Sequence, residues 1–251
     1  MYKTPPDTAR MSHTDSATSL IDKGGLLSPA KGSVQARDTG IALSDPLPIY
    51  ECRFMAQMPS DSDWAQMPHT SLLDVTTSDL PHLTTSIASC WTTDALYVRI
   101  YADDDYIWSP YEHRDDPLYE ADVVEMFIDP QGTGERYYEF NVSPHNVVFD
   151  AMIENNGRKP RQLHPEWDAA ELHTSVTAQP LDGEMIRLTY ELRIPFAALQ
   201  ATVPVTGEEW RVNWFRIDQN KAGERSFWAW SPTGAVNFHV PDCFGRLHFM
   251  L

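Results

Sequence analysis

Apolar positions along the chain recur mostly at every second residue and in short runs, which predicts β-strands rather than helices. In 96–101, Leu96, Val98 and Ile100 fall on one face and Tyr97, Arg99 and Tyr101 on the other. In 123–128, Val124, Met126 and Ile128 alternate with Val123, Glu125 and Phe127. Further strands are predicted over 50–55, 137–142, 147–153, 172–178, 185–194, 210–217, 227–230 and 246–251. Turn residues punctuate them: Asp103-Asp104-Asp105, Asp129-Pro130-Gln131-Gly132, Ser143-Pro144-His145-Asn146 and Asp182-Gly183. Asp61-Ser62-Asp63-Trp64 reads as a turn carrying an aromatic, and the Thr/Ser/Pro-rich stretch that follows, to about residue 89, reads as connection. Helical periodicity is confined to one turn over 195–199, with Pro195 at its start. About ten short strands joined by such loops predict an all-β protein, an antiparallel β-sandwich or barrel.

The polar N-terminal texture divides the chain. Residues 1–44 are rich in Ser, Thr, Asp, Gly and Pro and are predicted to be irregular; 45–251 are predicted to form one β-domain, with no internal repeat.

Charge narrows the partners. With 36 acidic against 19 basic residues the formal charge is −17, a field that repels phosphate backbones and anionic membranes. No run approaches the roughly 20 apolar residues of a membrane span. No basic-then-apolar leader opens the sequence, so as written it predicts a cytoplasmic protein, and a secreted or periplasmic one if the N-terminus is incomplete. Cys52, Cys90 and Cys243 form neither a CxxC pair nor an even set and are expected as buried thiols, with one disulfide as the alternative. The sequence has no GxSxG, no GxxxxGK[ST] and no strand-borne GxGxxG; Gly132-Thr133-Gly134 reads as a hairpin turn.

Several segments, in order, resemble the family 9 carbohydrate-binding modules and their stand-alone relatives. Ala95-Leu96-Tyr97-Val98 with Ala102-Asp103-Asp104 is similar to the family's first core strand. Val124-Glu125-Met126-Phe127-Ile128-Asp129-Pro130, Tyr137-Tyr138-Glu139-Phe140-Asn141-Val142-Ser143 and Asn146-Val147-Val148-Phe149-Asp150 resemble its central strands. Trp210-Arg211-Val212-Asn213-Trp214-Phe215-Arg216, Trp230-Ser231-Pro232, Asn237-Phe238-His239-Val240-Pro241 and Phe244-Gly245 resemble its C-terminal part. The resemblance covers about 47–251 and implies an immunoglobulin-like or jelly-roll-like, DOMON-like sandwich. It also implies non-catalytic binding of glucose- or xylose-type sugars or oligosaccharide ends, in carbohydrate catabolism of xylan or cellulose, often alongside xylanases, and often with calcium.

A pyranose ring has apolar C–H faces and polar edges, so a site needs flat aromatics and hydrogen-bonding groups together. By resemblance the stacking positions are Tyr119 and Phe238, where the family members compared carry Trp. Trp108, Tyr111, Trp228 and Trp230 are additional platform candidates, each more readily a core residue. Glu125 shares its strand face with Val123 and Phe127, and Glu139 shares its face with Tyr137 and Asn141. A carboxylate among apolar neighbours is costly unless it is paired or faces a cleft. One reading is a cleft lined by Glu125, Glu139, Asn141, Arg216 and Asn237; the other is a structural pairing of either Glu with Arg99 or Arg216.

Two rival functions stay open. Glu125 and Glu139 would serve a glycoside-acting enzyme if about 5 Å or 6.5–9.5 Å apart across a scissile bond. A cofactor or interaction module on a related sandwich, such as the haem- and sugar-binding domains of oxidoreductases, would use Met126 or Met152 with a His. For calcium, Asp103, Asp104 and Asp105 are the candidate ligands, with Asp115-Asp116 as a second acidic loop. The histidines lack HxH or HxxxH spacing, which argues against a transition metal.

Overall fold

A computed structural model describes residues 46–155 and 162–251. Its strands in chain order are β1 (Ile49–Phe54), β2 (Thr70–Ser71), β3 (Leu73–Asp74), β4 (Thr85–Trp91), β5 (Ala95–Asp104), β6 (Val123–Asp129), β7 (Arg136–Val142), β8 (Val148–Glu154), β9 (Gln162–His164), β10 (His173–Pro180), β11 (Ile186–Pro195), β12 (Glu209–Gln219), β13 (Arg225–Ala229) and β14 (Gly245–Met250). All ten predicted strands form. The expectation for 1–44 lies outside the described residues.

The strands join in the order β10-β11-β5-β4-β1-β14-β12-β6-β7-β8-β9, with β13 added to β12, β2 to β4, and β3 to β13. The path curls into two facing leaves. Leu96, Val98 and Ile100 of β5 and Leu188, Tyr190 and Leu192 of β11 share one apolar cluster with Val124, Met126 and Ile128 of β6, Phe140 of β7 and Trp214 of β12. That shared cluster is the sandwich core.

Three predicted features are corrected. The stretch ending near residue 89 contains β4, an interior strand paired with both β1 and β5. Its Ser, Ala and Cys side chains look like loop composition but are the small groups a strand needs when nearly all of it is buried. The pairing is also not wholly antiparallel: β1 runs parallel to both β14 and β4. Tyr50 ties β1 to β4, its hydroxyl accepting from the Ser89 N–H at 2.8 Å and donating to the Pro68 carbonyl at 2.7 Å. Third, Asp61–Trp64 is a short helix, α1, started by a capping box in which Ser60 and Asp63 satisfy each other's backbone N–H groups.

A second apolar cluster covers the outer face of the β12-β6-β7-β8 leaf, built from Val123, Phe127, Tyr137, Phe149, Ala151, Phe215, Ile217, Phe238 and Phe244. This second face is where the candidate site lies. Among the described residues no helix is long and apolar enough to cross a membrane. Cys52, Cys90 and Cys243 are buried free thiols.

Candidate functional site

The floor of the site follows from strand register. The β6–β7 hairpin is set by Asp129, whose carboxylate accepts the backbone N–H groups of Gln131, Gly132 and Gly134 at 3.0, 2.9 and 2.6 Å. Gly132 and Gly134 supply the positive φ angles, +66° and +73°, that this turn requires. The resulting pairing places Phe127 opposite Glu139 and Glu125 opposite Asn141. On either side, Phe215 of β12 lies opposite Glu125, and Phe149 of β8 lies opposite Asn141. One cross-strand row therefore reads Phe215, Glu125, Asn141, Phe149, and the next reads Asn213, Phe127, Glu139, Ala151. The two glutamates stand diagonally at the centre of a face walled by phenylalanines.

Loops complete the walls. The 3-10 turn Leu118–Glu120 buries Leu118 and leaves Tyr119 46% exposed, edge-on to Phe149 with ring centroids 6.0 Å apart. Asp122 anchors that turn by accepting the backbone N–H groups of Trp108 and Gln219. Arg225 holds it from the other side, donating to the Tyr119 carbonyl while lying over the Phe227 ring. Across the cavity Phe238 lies flat on Phe215, centroids 4.1 Å apart and 11° between planes, and is only 9% exposed.

The open cavity has a volume of about 310 Å³ and includes Tyr119, Glu125, Phe149, Glu139, Phe238 and His239 in its lining. Glu125 is 2% exposed, and its Oε1 has no hydrogen-bond partner among the described residues. Burial, and then Glu139 beside it, push its carboxyl well above the usual carboxylate range, against a smaller opposing pull from Arg225. Glu139 is steadied by Asn141, whose Nδ2 donates to Oε1 at 2.8 Å. His239 reaches the same group, Nε2 lying 3.9 Å from Oε2, while its Nδ1 is 3.0 Å from the Tyr137 hydroxyl.

Of the residues singled out from the sequence, Tyr119, Phe238, Glu125, Glu139 and Asn237 line this cavity, and Asn141 supports Glu139 from beneath it. Arg216 does not belong to it. Its side chain is buried on the opposite face of β12, bonded to Asp104, Asp218, Thr85 and the Asp103 carbonyl and stacked over Trp228. Strand alternation explains this, because Phe215 and Ile217, not Arg216, belong to the cluster on the cavity's face of β12, and Ile217 lines the cavity itself. Arg99 is likewise engaged elsewhere, with Glu191 and Asp61. Arg99 and Arg216, the arginines proposed as structural partners of Glu125 or Glu139, are thus both engaged with other carboxylates.

Trp228 and Trp230 are core residues, and Trp108 and Tyr111 do not line the cavity. Met126 packs in the sandwich core and Met152 against it, away from this cavity. Sequence reasoning missed His239, Phe127, Phe149 and Phe227; the alternation signal was present for Phe127, but nothing local marked the others.

Asp103, Asp104 and Asp105 are not among the carboxyl groups that gather within ligand distance of one another in the described residues. Asp103 is gripped by Arg187 through two bonds of 2.7 and 2.9 Å, Asp104 is paired with Arg216, and Asp105 is exposed. Asp115, Asp150 and Asp168 do gather their oxygens within 4.8 Å, with Arg114 bonding both Asp150 and Asp168 and offsetting part of their charge.

Residues 59–250 match the profile of the family described as carbohydrate family 9 binding domain-like. The chain belongs to this family. The family 9 match takes in β2 through β14 and so includes every residue of the cavity. A curated relative is an "Extracellular protein" from Arthroderma benhamiae, 25% identical over 180 residues that cover 68% of this chain and 80% of the relative. Among solved structures, this family 9 chain is similar in fold to a candidate carbohydrate-binding protein from Bacteroides uniformis, at TM-score 0.66 and 18% identity, covering 81% of this chain and 100% of that one. It is also similar to a family 9 module from Caldicellulosiruptor kristjanssonii in complex with cellotriose, at TM-score 0.59 and 14% identity, covering 81% and 94%. The same organism's family 9 module in complex with glucose gives TM-score 0.58 at 14% identity, covering 80% and 95%.

Proposed function

We propose that this family 9 domain binds a glucose- or xylose-type sugar, without cleaving it, in the cavity between Tyr119 and Phe238. The observation that carries the reading is the pair of buried carboxyl groups, Glu125 and Glu139, on the floor of a cavity flanked by Tyr119 with Phe149 on one side and Phe238 on the other. Aromatic rings on opposite sides match the two apolar faces of a pyranose, and carboxyl groups on the floor match its hydroxyl edge. A protonated Glu125 both donates and accepts, as a sugar hydroxyl does, so it can pair in either direction. The fold similarity to modules bound to cellotriose and glucose supports the same sugar class.

The direct test is calorimetric titration with glucose, xylose, cellobiose and xylobiose on wild type and Tyr119→Ala. Saturable binding that is lost in the variant supports the site. Absence of saturable binding with all four sugars removes the proposal.

A further inference from the structure

The cavity's polarity runs opposite to what a bare polysaccharide needs. Its carboxyl groups are at the bottom, where Glu125 is 2% and Glu139 4% exposed. Its mouth is apolar: Tyr119 is 46%, Leu163 47% and Val236 62% exposed, and these three are among the most exposed large hydrophobic residues of the described chain. Asn237 is the exposed polar side chain of the lining.

A sugar ring seated between Tyr119 and Phe238 would meet Glu125 and Glu139 with its hydroxyls. Whatever is attached to that sugar leaves past Leu163 and Val236. If the attachment were a second sugar, its hydroxyls would lose water against two aliphatic side chains that offer no hydrogen bond, which is unfavourable. If it were an apolar group, the same contact would remove apolar surface from water on both sides, which is favourable. The side chains at the mouth, one aromatic and two branched aliphatic, suit a planar apolar substituent.

From this gradient we infer that the ligand is a glycoside carrying an apolar, aryl-type substituent on the sugar, with the sugar at the floor and the aryl group against Leu163 and Val236. The inference rests on the sugar-binding reading above and adds the class of aglycone to it. No bond is made or broken; the site selects among glycosides.

The test is calorimetric titration of the full chain with glucose, cellobiose and phenyl β-glucoside, on wild type, Leu163→Ser and Val236→Ser. The expected result is phenyl glucoside binding at least about tenfold tighter than either sugar, a difference of about 1.4 kcal/mol. The ratio of phenyl glucoside to glucose affinity should fall toward one in both variants. Both substitutions replace exposed side chains, and circular dichroism confirms the fold. If glucose and cellobiose bind but phenyl glucoside binds no tighter, the aglycone inference is overturned and the sugar-binding reading stands. If none of the three binds, the sugar-binding reading fails, and the aglycone inference with it.

Discussion

Phe238 lies flat on Phe215, with 4.1 Å between ring centroids and 11° between planes. The loop residue closest to a stacking platform is thus itself stacked on the sheet, so its position is set by the fold rather than by a ligand. Phe238→Ala should remove a nearly buried ring and lower stability by about 3 kcal/mol, and it should abolish measurable sugar binding. Phe238→Tyr, which keeps the ring, should restore both. Urea unfolding and titration on the two variants check this, and full binding by the alanine variant would remove Phe238 from the site.

The Arg225 contact to the Tyr119 carbonyl orients the opposite platform from an exposed position. Arg225→Ala should weaken sugar binding several-fold while changing stability by no more than about 0.5 kcal/mol. Equal affinity in the variant and wild type would show that the 118–120 turn holds Tyr119 without it.

Glu125 carries the sharpest chemical prediction. If its carboxyl is held protonated by burial, Glu125→Gln is nearly isosteric and should keep sugar affinity within about threefold, whereas Glu125→Ala should lose tenfold or more, about 1.4 kcal/mol. A large loss in the glutamine variant would mean that the ionised form does the binding.

Stability should depend on pH with a definite sign. Burial raises Asp122 to about 7 and also raises Glu125, Asp150 and Asp218 above their ordinary values. An acid whose folded pKa lies above its unfolded value stabilises the fold below the unfolded pKa, about 4, and that stability is lost as pH rises through the folded value. Asp63, Asp74, Asp94 and Asp116 are lowered by hydrogen bonds, so their contribution is lost as pH falls below about 4. Thermal unfolding should therefore be most resistant near pH 5 and weaken toward pH 8. Glu125→Gln should flatten the upper limb; a wild-type profile rising from pH 5 to 8 would contradict this.

Arg216 should matter to stability and not to recognition. It is 3% exposed between Asp104 and Asp218, so Arg216→Met should leave two buried carboxylates unpaired and cost about 3–5 kcal/mol in denaturant unfolding.

The same residue shows how far the sequence could be read. Alternation states which residues share a face within one strand, and it correctly joined Glu125 to Phe127 and Glu139 to Asn141. It does not state which face of a neighbouring strand lies beside them. That depends on register, here Phe215 opposite Glu125, which placed Arg216 on the far side. Tyr119 and Phe238 were legible through resemblance to the family motifs, whereas Phe149, Phe227 and His239 reach the cavity from separate strands and a loop. Strand β4 was hidden because an interior strand packed between two neighbours can be made of small and hydroxyl-bearing side chains, with Ser89 satisfied by Tyr50 and Tyr97.

Strand β1 pairs residue by residue with β14, from Ile49 with Arg246 to Arg53 with Met250. The first and last strands of the described domain therefore form the seam that joins its two leaves. Every other described strand can find a partner earlier in synthesis, but this seam cannot close until β14 has emerged from the ribosome. Its closure spans nearly the whole domain, the kind of non-local contact that slows folding. Cutting the chain before β14 should therefore leave two half-assembled leaves rather than a slightly shortened domain.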